Sequence, residues 1–272
     1  MHKFSAKYDL EGRTAIVLGG LGLIGWAITQ SLINSGCRVL ILDKDNKKWK
    51  SLDKEIDKKK YNVEYVNFDA SNFKTIEKNF DKIINKIKKF DIFINSSYPF
   101  TNDYSKNNFE DVKLNSLRKT VDIHLNSYAW LARVTANYFK ENKINGNILF
   151  LGSIYGVVGQ NLNIYEKTKM KENMSHSMIK GGITNLTRLM SSYYGKYNIR
   201  INTLAPGGIK GHVANSSSKQ DSKFVRNYNK QVPLKRLGNA VEIGEVATFL
   251  VSPAASYITG ITLLVDGGWT AI

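Results

Sequence analysis

Gly19, Gly22 and Gly25 recur at three-residue spacing directly after an apolar run that ends at Leu18, where a segment of helical period begins. Glycines there allow a tight strand-to-helix turn. They also let the amides of Gly22-Leu23-Ile24-Gly25 at the helix start approach a pyrophosphate closely. Asp43 ends the next apolar run, 18 residues after Gly25. A carboxylate there accepts hydrogen bonds from an adenosine ribose and repels a 2′-phosphate, which favours NAD over NADP. Lys44 opposes that preference, because an ammonium in the neighbouring position can pair with a phosphate. Farther along, Ser153 in GSIYG follows another apolar run. A serine at the carboxyl end of a strand faces the crevice where open α/β sheets bind ligands, and its hydroxyl can donate to a developing alkoxide. It is not read as a hydrolase nucleophile, because Leu151 stands where the hydrolase elbow needs a glycine. The histidines are His2, His124, His176 and His212. No two of them stand at metal-ligand spacing with a carboxylate, so no catalytic metal is expected.

These residues need a scaffold, and the sequence implies one. RTAIVLG, RVLILD, NVEYVNF, FDIFINS, GNILFLGS, IRINTLAP and GITLLVD are apolar and rich in β-branched residues, and they are separated by segments long enough for helices. This alternation predicts an α/β fold: a Rossmann-type, doubly wound parallel sheet of about seven strands with helices on both faces. Trp26, Ile28, Leu32 and Ile33 give the first helix an apolar face, and Asn34-Ser35-Gly36 closes it. No Pro/Ser/Gly-rich linker or fixed-period repeat interrupts the chain, so residues 1–272 are expected to form a single domain. The polar stretch from Gly211 to Lys223 is a candidate lid, part of a substrate loop spanning about 207–230.

Composition narrows the function classes. With 42% hydrophobic and 23% charged residues, 4 Pro and one Cys, the chain is neither disordered, collagen-like nor a disulfide scaffold. A lone thiol, Cys37, and a start without an apolar stretch point to the cytoplasm. No apolar run approaches the roughly 18 residues that span a bilayer, so no membrane partner is expected. The net charge of +16 raises the question of nucleic acid. However, most of the lysines are interleaved with acidic residues, as in EKNFDKIINKIKKF, without an Arg-aromatic pattern. A solvated surface is expected, with a small-molecule partner and no nucleic acid.

Several motifs in sequence order resemble the short-chain dehydrogenase/reductase family over nearly the whole chain. Besides the glycines and Asp43, there are Asp69-Ala70 after the third strand, Asn95 in INSS, Ser153 in GSIYG and Lys180 in HSMIKGGITNLTR. Pro206-Gly207, followed by Ile209, and then YITG and VDGGW complete the series. The resemblance implies an NAD-dependent oxidoreductase in which Asp69 and Ala70 meet the adenine, and Pro206, Gly207 and Ile209 belong to a loop closing over the nicotinamide. It assigns Ser153 to the catalytic serine and Lys180 to the lysine of the Tyr-x-x-x-Lys motif, where the ammonium bonds the nicotinamide ribose. It also implies a homo-oligomer, a tetramer or dimer, with LARVTANYF and NLTRLMSSYYGKY as candidate interface segments. The glycine spacing, with Leu23 where single-domain members have their second glycine, is closer to that of the family's sugar-nucleotide epimerases. HLNSYAWL, SIYGVVGQNLNIYEKTKM and SYITGITLLVDGGWTA resemble oxidoreductases encoded with flagellin-modification and sialic-acid-like sugar pathways, which implies a sugar derivative as substrate.

Two residues depart from the family pattern. The position four before Lys180 holds His176, where the family has its catalytic tyrosine. Beside a lysine the charged imidazole is disfavoured, so His176 is read as a base better suited to alcohol oxidation than to ketone reduction. Three readings stay open at this point: His176 moves the proton directly or through water; the chain binds nucleotide but is impaired in hydride transfer; or another hydroxyl, from Tyr155 or Tyr165, replaces the phenol. His124 stands where the family has an asparagine whose main-chain carbonyl holds a water leading to the lysine, a relay that a histidine would preserve.

Overall fold

The computed structural model describes residues 8–54, 56–57, 61–87, 89–211 and 220–272. The seven apolar runs become β1 (Thr14–Leu18), β2 (Arg38–Asp43), β3 (Val63–Asn67), β4 (Ile92–Asn95), β5 (Asn147–Leu151), β6 (Arg200–Pro206) and β7 (Thr262–Val265). They form one parallel sheet in the order β3-β2-β1-β4-β5-β6-β7. The helices are α1 (Leu23–Asn34), α2 (Asn46–Leu52), α3 (Ile76–Ile87), α4 (Leu114–Val121), α5 (Ser127–Glu141), α6 (Met174–Tyr194), α7 (Ser222–Gln231) and α8 (Ala240–Val251). A π-helical turn, Asp122–Asn126, joins α4 to α5.

Both faces of the sheet are covered, which explains why its strands read as nearly continuous apolar runs. In β1, Ile16 and Leu18 enter a core with Phe80, Phe93, Tyr128, Phe139 and Ile183, whereas Ala15 and Val17 pack with Ile28, Leu32, Ile243 and Leu250. A smaller cluster over the carboxyl ends of β5 and β6 joins Ile154, Ile164, Tyr228, Leu237 and Trp269. The Tyr228 and Trp269 rings stack there at 4.6 Å.

The sheet order reverses between β1 and β4: from β1 the chain moves out through β2 and β3, then returns to place β4 on the other side of β1. Loops at such a switch point diverge and leave a crevice at the carboxyl ends of the strands. The turn after β1, Asp43, Asn95 and Ser153 all lie at this end.

The candidate lid and one candidate interface segment take a form that the sequence did not show. Residues 222–231 of the candidate lid form α7, whose Tyr228 is buried because it packs against Trp269 and Ile164; residues 212–219, including His212 and most of the polar stretch, lie outside the described residues, as does His2. In LARVTANYF, Leu131, Ala132, Ala136 and Phe139 are buried because that face of α5 packs onto the chain's own sheet. The exposed apolar side chains instead include Leu189 and Tyr193 on α6, together with Tyr257 and Ile272. Among the described residues, no helix is long and apolar enough to cross a membrane, and no group of three or more His, Cys, Asp or Glu side chains is placed to hold a metal ion.

Candidate active site

At one end of the crevice, backbone geometry dominates. Gly19 adopts φ +76°, and a Cβ on it would lie 2.6 Å from the Ser97 backbone; a Cβ on Gly25 would lie 2.1 Å from the Gly19 carbonyl oxygen. The turn after β1 therefore closes only with glycine at both positions. Gly22 is the exposed N-cap of α1; no side chain caps the helix and no acidic residue stands in its first turn. Leu23 is exposed and Ile24 half-buried at the same helix start. Uncapped amides at a helix N-terminus favour an anion, so the turn suits a pyrophosphate.

Asp43 lies beside this turn. Its Oδ2 accepts from the Leu21 amide at 3.0 Å and its Oδ1 from the Asp45 amide at 3.1 Å, which fixes the carboxylate at the crevice edge. Lys44 is exposed, with its carbonyl accepting from Asn67. Asp69 is exposed and holds the amide and hydroxyl of Ser71, while Ala70 beside it is buried. Asn95 is fully buried; its Oδ1 accepts from the amide and hydroxyl of Ser97, and its Nδ2 is without a partner. Pro206 ends β6, the Gly207 amide bonds the Val265 carbonyl, and Ile209 pairs with Gly238 in an isolated bridge.

The other end of the crevice is built from side chains. Ser153 is buried, and its Oγ accepts from the Tyr155 amide at 3.2 Å, which leaves the hydroxyl proton free to donate outward. Lys180 is buried on α6, and its ammonium donates to the Leu151 carbonyl at 2.8 Å. The ammonium also lies 5.6 Å from the ring centres of both Tyr98 and Tyr128. Burial without a carboxylate pulls its pKa down to about 7. A Cβ on Gly156 would stand 2.5 Å from the Lys180 carbonyl oxygen, so the turn after Ser153 packs backbone to backbone on the helix that carries the lysine.

His176 lies one helical turn before Lys180, in the first turn of α6, where the Asn173 side chain accepts from its amide. Its Nδ1 lies 3.0 Å from the Tyr98 hydroxyl and 3.3 Å from that of Tyr104; the two hydroxyls are 2.6 Å apart. Burial, and secondarily the Lys180 charge, lowers the imidazole pKa to about 3, so the ring is neutral at physiological pH. The loop after β4 is tied to α6 by Asn173, whose Nδ2 donates to the Tyr104 carbonyl, and by buried Asn107, whose Nδ2 donates to Ser175.

His124 is fully buried in the π-helical turn. Its carbonyl accepts from both the amide and the hydroxyl of Ser127. The ring packs 5.1 Å from Tyr98, and neither ring nitrogen has a hydrogen-bond partner. Burial first, then Lys180 and His176, keeps it neutral. Tyr165 donates to Gln160 and stacks on Phe224, and Tyr155 meets His176 only as a ring contact at 6.1 Å. The phenols that reach His176 are Tyr98 and Tyr104, which sequence reasoning missed; the available signal was the position of Tyr98 directly after Asn95-Ser96-Ser97, at the crevice end of β4.

Comparison with known proteins follows the same lines. A family described as enoyl-(acyl carrier protein) reductase matches residues 22–270. A short-chain dehydrogenase from Leptospira borgpetersenii, solved with bound NAD+, is 31% identical, superposes with a TM-score of 0.82 and covers 99% of this chain and 98% of its own. This chain belongs to the short-chain dehydrogenase/reductase family. Among other members, the post-translational flagellin modification protein A of Campylobacter coli is 29% identical over 261 residues, covering 96% of this chain and 99% of the relative. Glucose 1-dehydrogenase 2 of Bacillus subtilis is 28% identical over 267 residues, covering 96% of each. The family is one of oxidoreductases, and in this short-chain dehydrogenase/reductase the serine and lysine of the sequence pattern stand at one crevice, with an imidazole at the tyrosine position.

Proposed function

We propose that the protein is an NAD-dependent oxidoreductase acting at a hydroxyl or carbonyl carbon of a sugar or sugar derivative, with His176 handling the proton. The observation that carries this reading is the placement of Ser153, His176 and Lys180 around one crevice that opens beside the uncapped start of α1. The amides after Gly22 would hold the pyrophosphate, Asp43 the adenosine ribose, and Lys180 the nicotinamide ribose. Asp69 and Ala70 would border the adenine, and Pro206, Gly207 and Ile209 the nicotinamide. A bound nicotinamide supplies a two-electron hydride donor or acceptor. The protein's own groups do the rest: the Ser153 hydroxyl donates to the substrate oxygen, and His176 exchanges a proton with it. His124 fills the space beside Tyr98. The relatives named for flagellin modification and for glucose dehydrogenation support a sugar-type substrate. The Asp43 carboxylate, fixed at the crevice edge, supports NAD over NADP. The exposed Leu189 and Tyr193 support association into a dimer or tetramer.

A second reading, a nucleotide-binding protein impaired in hydride transfer and serving as a structural or regulatory partner, draws on Lys180 being turned onto the Leu151 carbonyl. One experiment separates the two. NADH is titrated by nicotinamide fluorescence, and turnover is measured on a panel of sugars and sugar nucleotides, for the wild type and for His176→Tyr. Our reading expects binding by both and turnover by the wild type that falls in the variant. Binding by both, with turnover only in the variant, establishes the second reading.

A further inference from the structure

We propose that the loop after β4 supplies the working phenol: Tyr98, backed by Tyr104, forms a hydrogen-bonded proton chain into Nδ1 of His176, so that a neutral imidazole delivers a proton from Nε2 to the substrate oxygen. The proposal rests on the oxidoreductase reading above and identifies further residues that serve it.

The geometry defines the chain. The Tyr98 and Tyr104 hydroxyls are 2.6 Å apart, and the Tyr98 hydroxyl is 3.0 Å from His176 Nδ1. A neutral imidazole has one donor and one acceptor nitrogen. With Tyr98 donating to Nδ1, the ring proton sits on Nε2; with Tyr104 donating to Tyr98, each bond points the same way. Tyr104 is half-buried and stands at the far end of the chain from the substrate. Lys180 stands 5.6 Å from the centre of the Tyr98 ring, and burial pushes the Tyr98 phenol up to about 12, so Tyr98 enters the chain protonated and able to donate. The groups facing His176 are thus Tyr98 and Tyr104 from the β4 loop, Tyr155 from the turn after β5, His124 from the π-helical turn and Lys180 from its own helix.

The chain also answers a chemical difficulty. An imidazole whose pKa has fallen to about 3 offers no imidazolium at neutral pH and cannot act as an ordinary general acid. A relay avoids the imidazolium altogether. In carbonyl reduction, the hydride would be supplied by a reduced nicotinamide held beside Ser153 and Lys180, and the electron pair of the C=O π bond would pass to the oxygen. The oxygen takes the proton of Nε2, Nδ1 takes that of Tyr98, and Tyr98 takes that of Tyr104, which is reprotonated from water. The ring ends neutral with its proton moved from one nitrogen to the other; once product has left, a water in the emptied crevice protonates Nε2 while Nδ1 returns its proton through Tyr98 and Tyr104 to solvent. Alcohol oxidation starts from the Nδ1-protonated ring and runs the sequence in reverse. Tyr98 and Tyr104 are positioning residues in this scheme, since they act through His176.

The test has one arm that needs no turnover. In full-length protein labelled with 15N-histidine, the proposal expects His176 to carry its proton on Nε2 with Nδ1 as acceptor. It expects Tyr98→Phe, which keeps the ring, to lose that tautomer preference. Tyr104→Phe serves as a second variant and should have a smaller effect. In steady-state kinetics, Tyr98→Phe should lower kcat about 100-fold while NADH affinity stays near wild type, and the curved proton inventory of a multi-proton step should become linear. A wild-type tautomer with the proton on Nδ1, or a Tyr98→Phe variant with kcat within about threefold of wild type, overturns the relay. So does turnover that appears only in His176→Tyr. Failure of the wild type to bind NADH strikes instead at the nucleotide-binding reading, and the tautomer then decides the relay geometry independently.

Discussion

The two ends of the crevice work by different means. Beside β1 the geometry is set by backbone: Gly19 and Gly25 close a turn that no larger residue fits, and the start of α1 presents uncapped amides. Around β4 and α6, side chains drawn from distant parts of the chain do the work, among them Tyr98, His124, Tyr128, His176 and Lys180, crowded together in a largely apolar setting. The backbone end is rigid in sequence and tolerant in chemistry, since any dinucleotide presents the same pyrophosphate. The side-chain end is the reverse: its ionisable groups sit far from their ordinary pKa values, so each substitution changes proton chemistry before it changes shape.

That contrast can be broken most forcefully at Gly25. Gly25→Ala should reduce NADH binding about 100-fold or more, roughly 2.7 kcal/mol or above, because the new methyl group must displace the Gly19 carbonyl. Fluorescence titration with circular dichroism as a folding control reads this directly. Lys180→Met should separate stability from activity: removing a buried ammonium that has no carboxylate partner should leave the melting temperature equal or higher, while kcat falls about 100-fold or more. A loss of stability would mean that the Leu151 hydrogen bond outweighs the desolvation of the charge. Gly156→Ala should cost about 1–3 kcal/mol of stability, measured by urea unfolding, because its methyl group meets the Lys180 backbone. Asp43→Asn should shift the NAD to NADP affinity ratio by about tenfold toward NADP, or about 1.4 kcal/mol, while leaving kcat with NAD nearly unchanged.

The pH dependence sharpens the same contrast. With its pKa lowered to about 3, His176 stays neutral through the range where free histidine titrates, so kcat should show no acidic limb near pH 6.5 from this residue. The sign for stability follows from proton binding. Between about pH 3 and 6.5 the unfolded chain holds a proton on His176 that the folded chain lacks, so stability rises with pH across that window. His176→Phe should reduce the slope of that part of a melting-temperature profile, the remainder coming from buried His124.

What could be read from the sequence divides along the same boundary. The turn after β1 depends on residues within one short segment, and its chemistry is backbone geometry, so Gly19, Gly22 and Gly25 announce it by spacing alone. Alternating apolar runs likewise announced seven strands, because the central strands β1, β2, β4, β5 and β6 are buried on both faces. Ser153 and Lys180 were legible through their order along the chain. Tyr98 and His176 were not legible as a pair: they are 78 residues apart, and no local periodicity connects them. Their meeting depends on the clasp of Asn107, Asn173 and Ser175, polar residues that local pattern would assign to turns. The serine clasp on the His124 carbonyl was hidden too, since it arises from a π-helical turn inside what reads as one continuous helix.

The reversal of strand order also governs how the protein comes into being. β1 finds β2 within a few tens of residues, but its other edge waits for β4, with Ala15 beside Ile92 and Leu18 beside Asn95. The crevice therefore has no far wall until a long loop has closed, and such distant parallel pairing is intrinsically slow. During synthesis the emerging β1, α1 and β2 unit holds the glycine turn before the phenols and imidazole have a place to stand. A dinucleotide that favours the finished crevice over the open sheet would then shift assembly toward completion, making the ligand a late partner in folding.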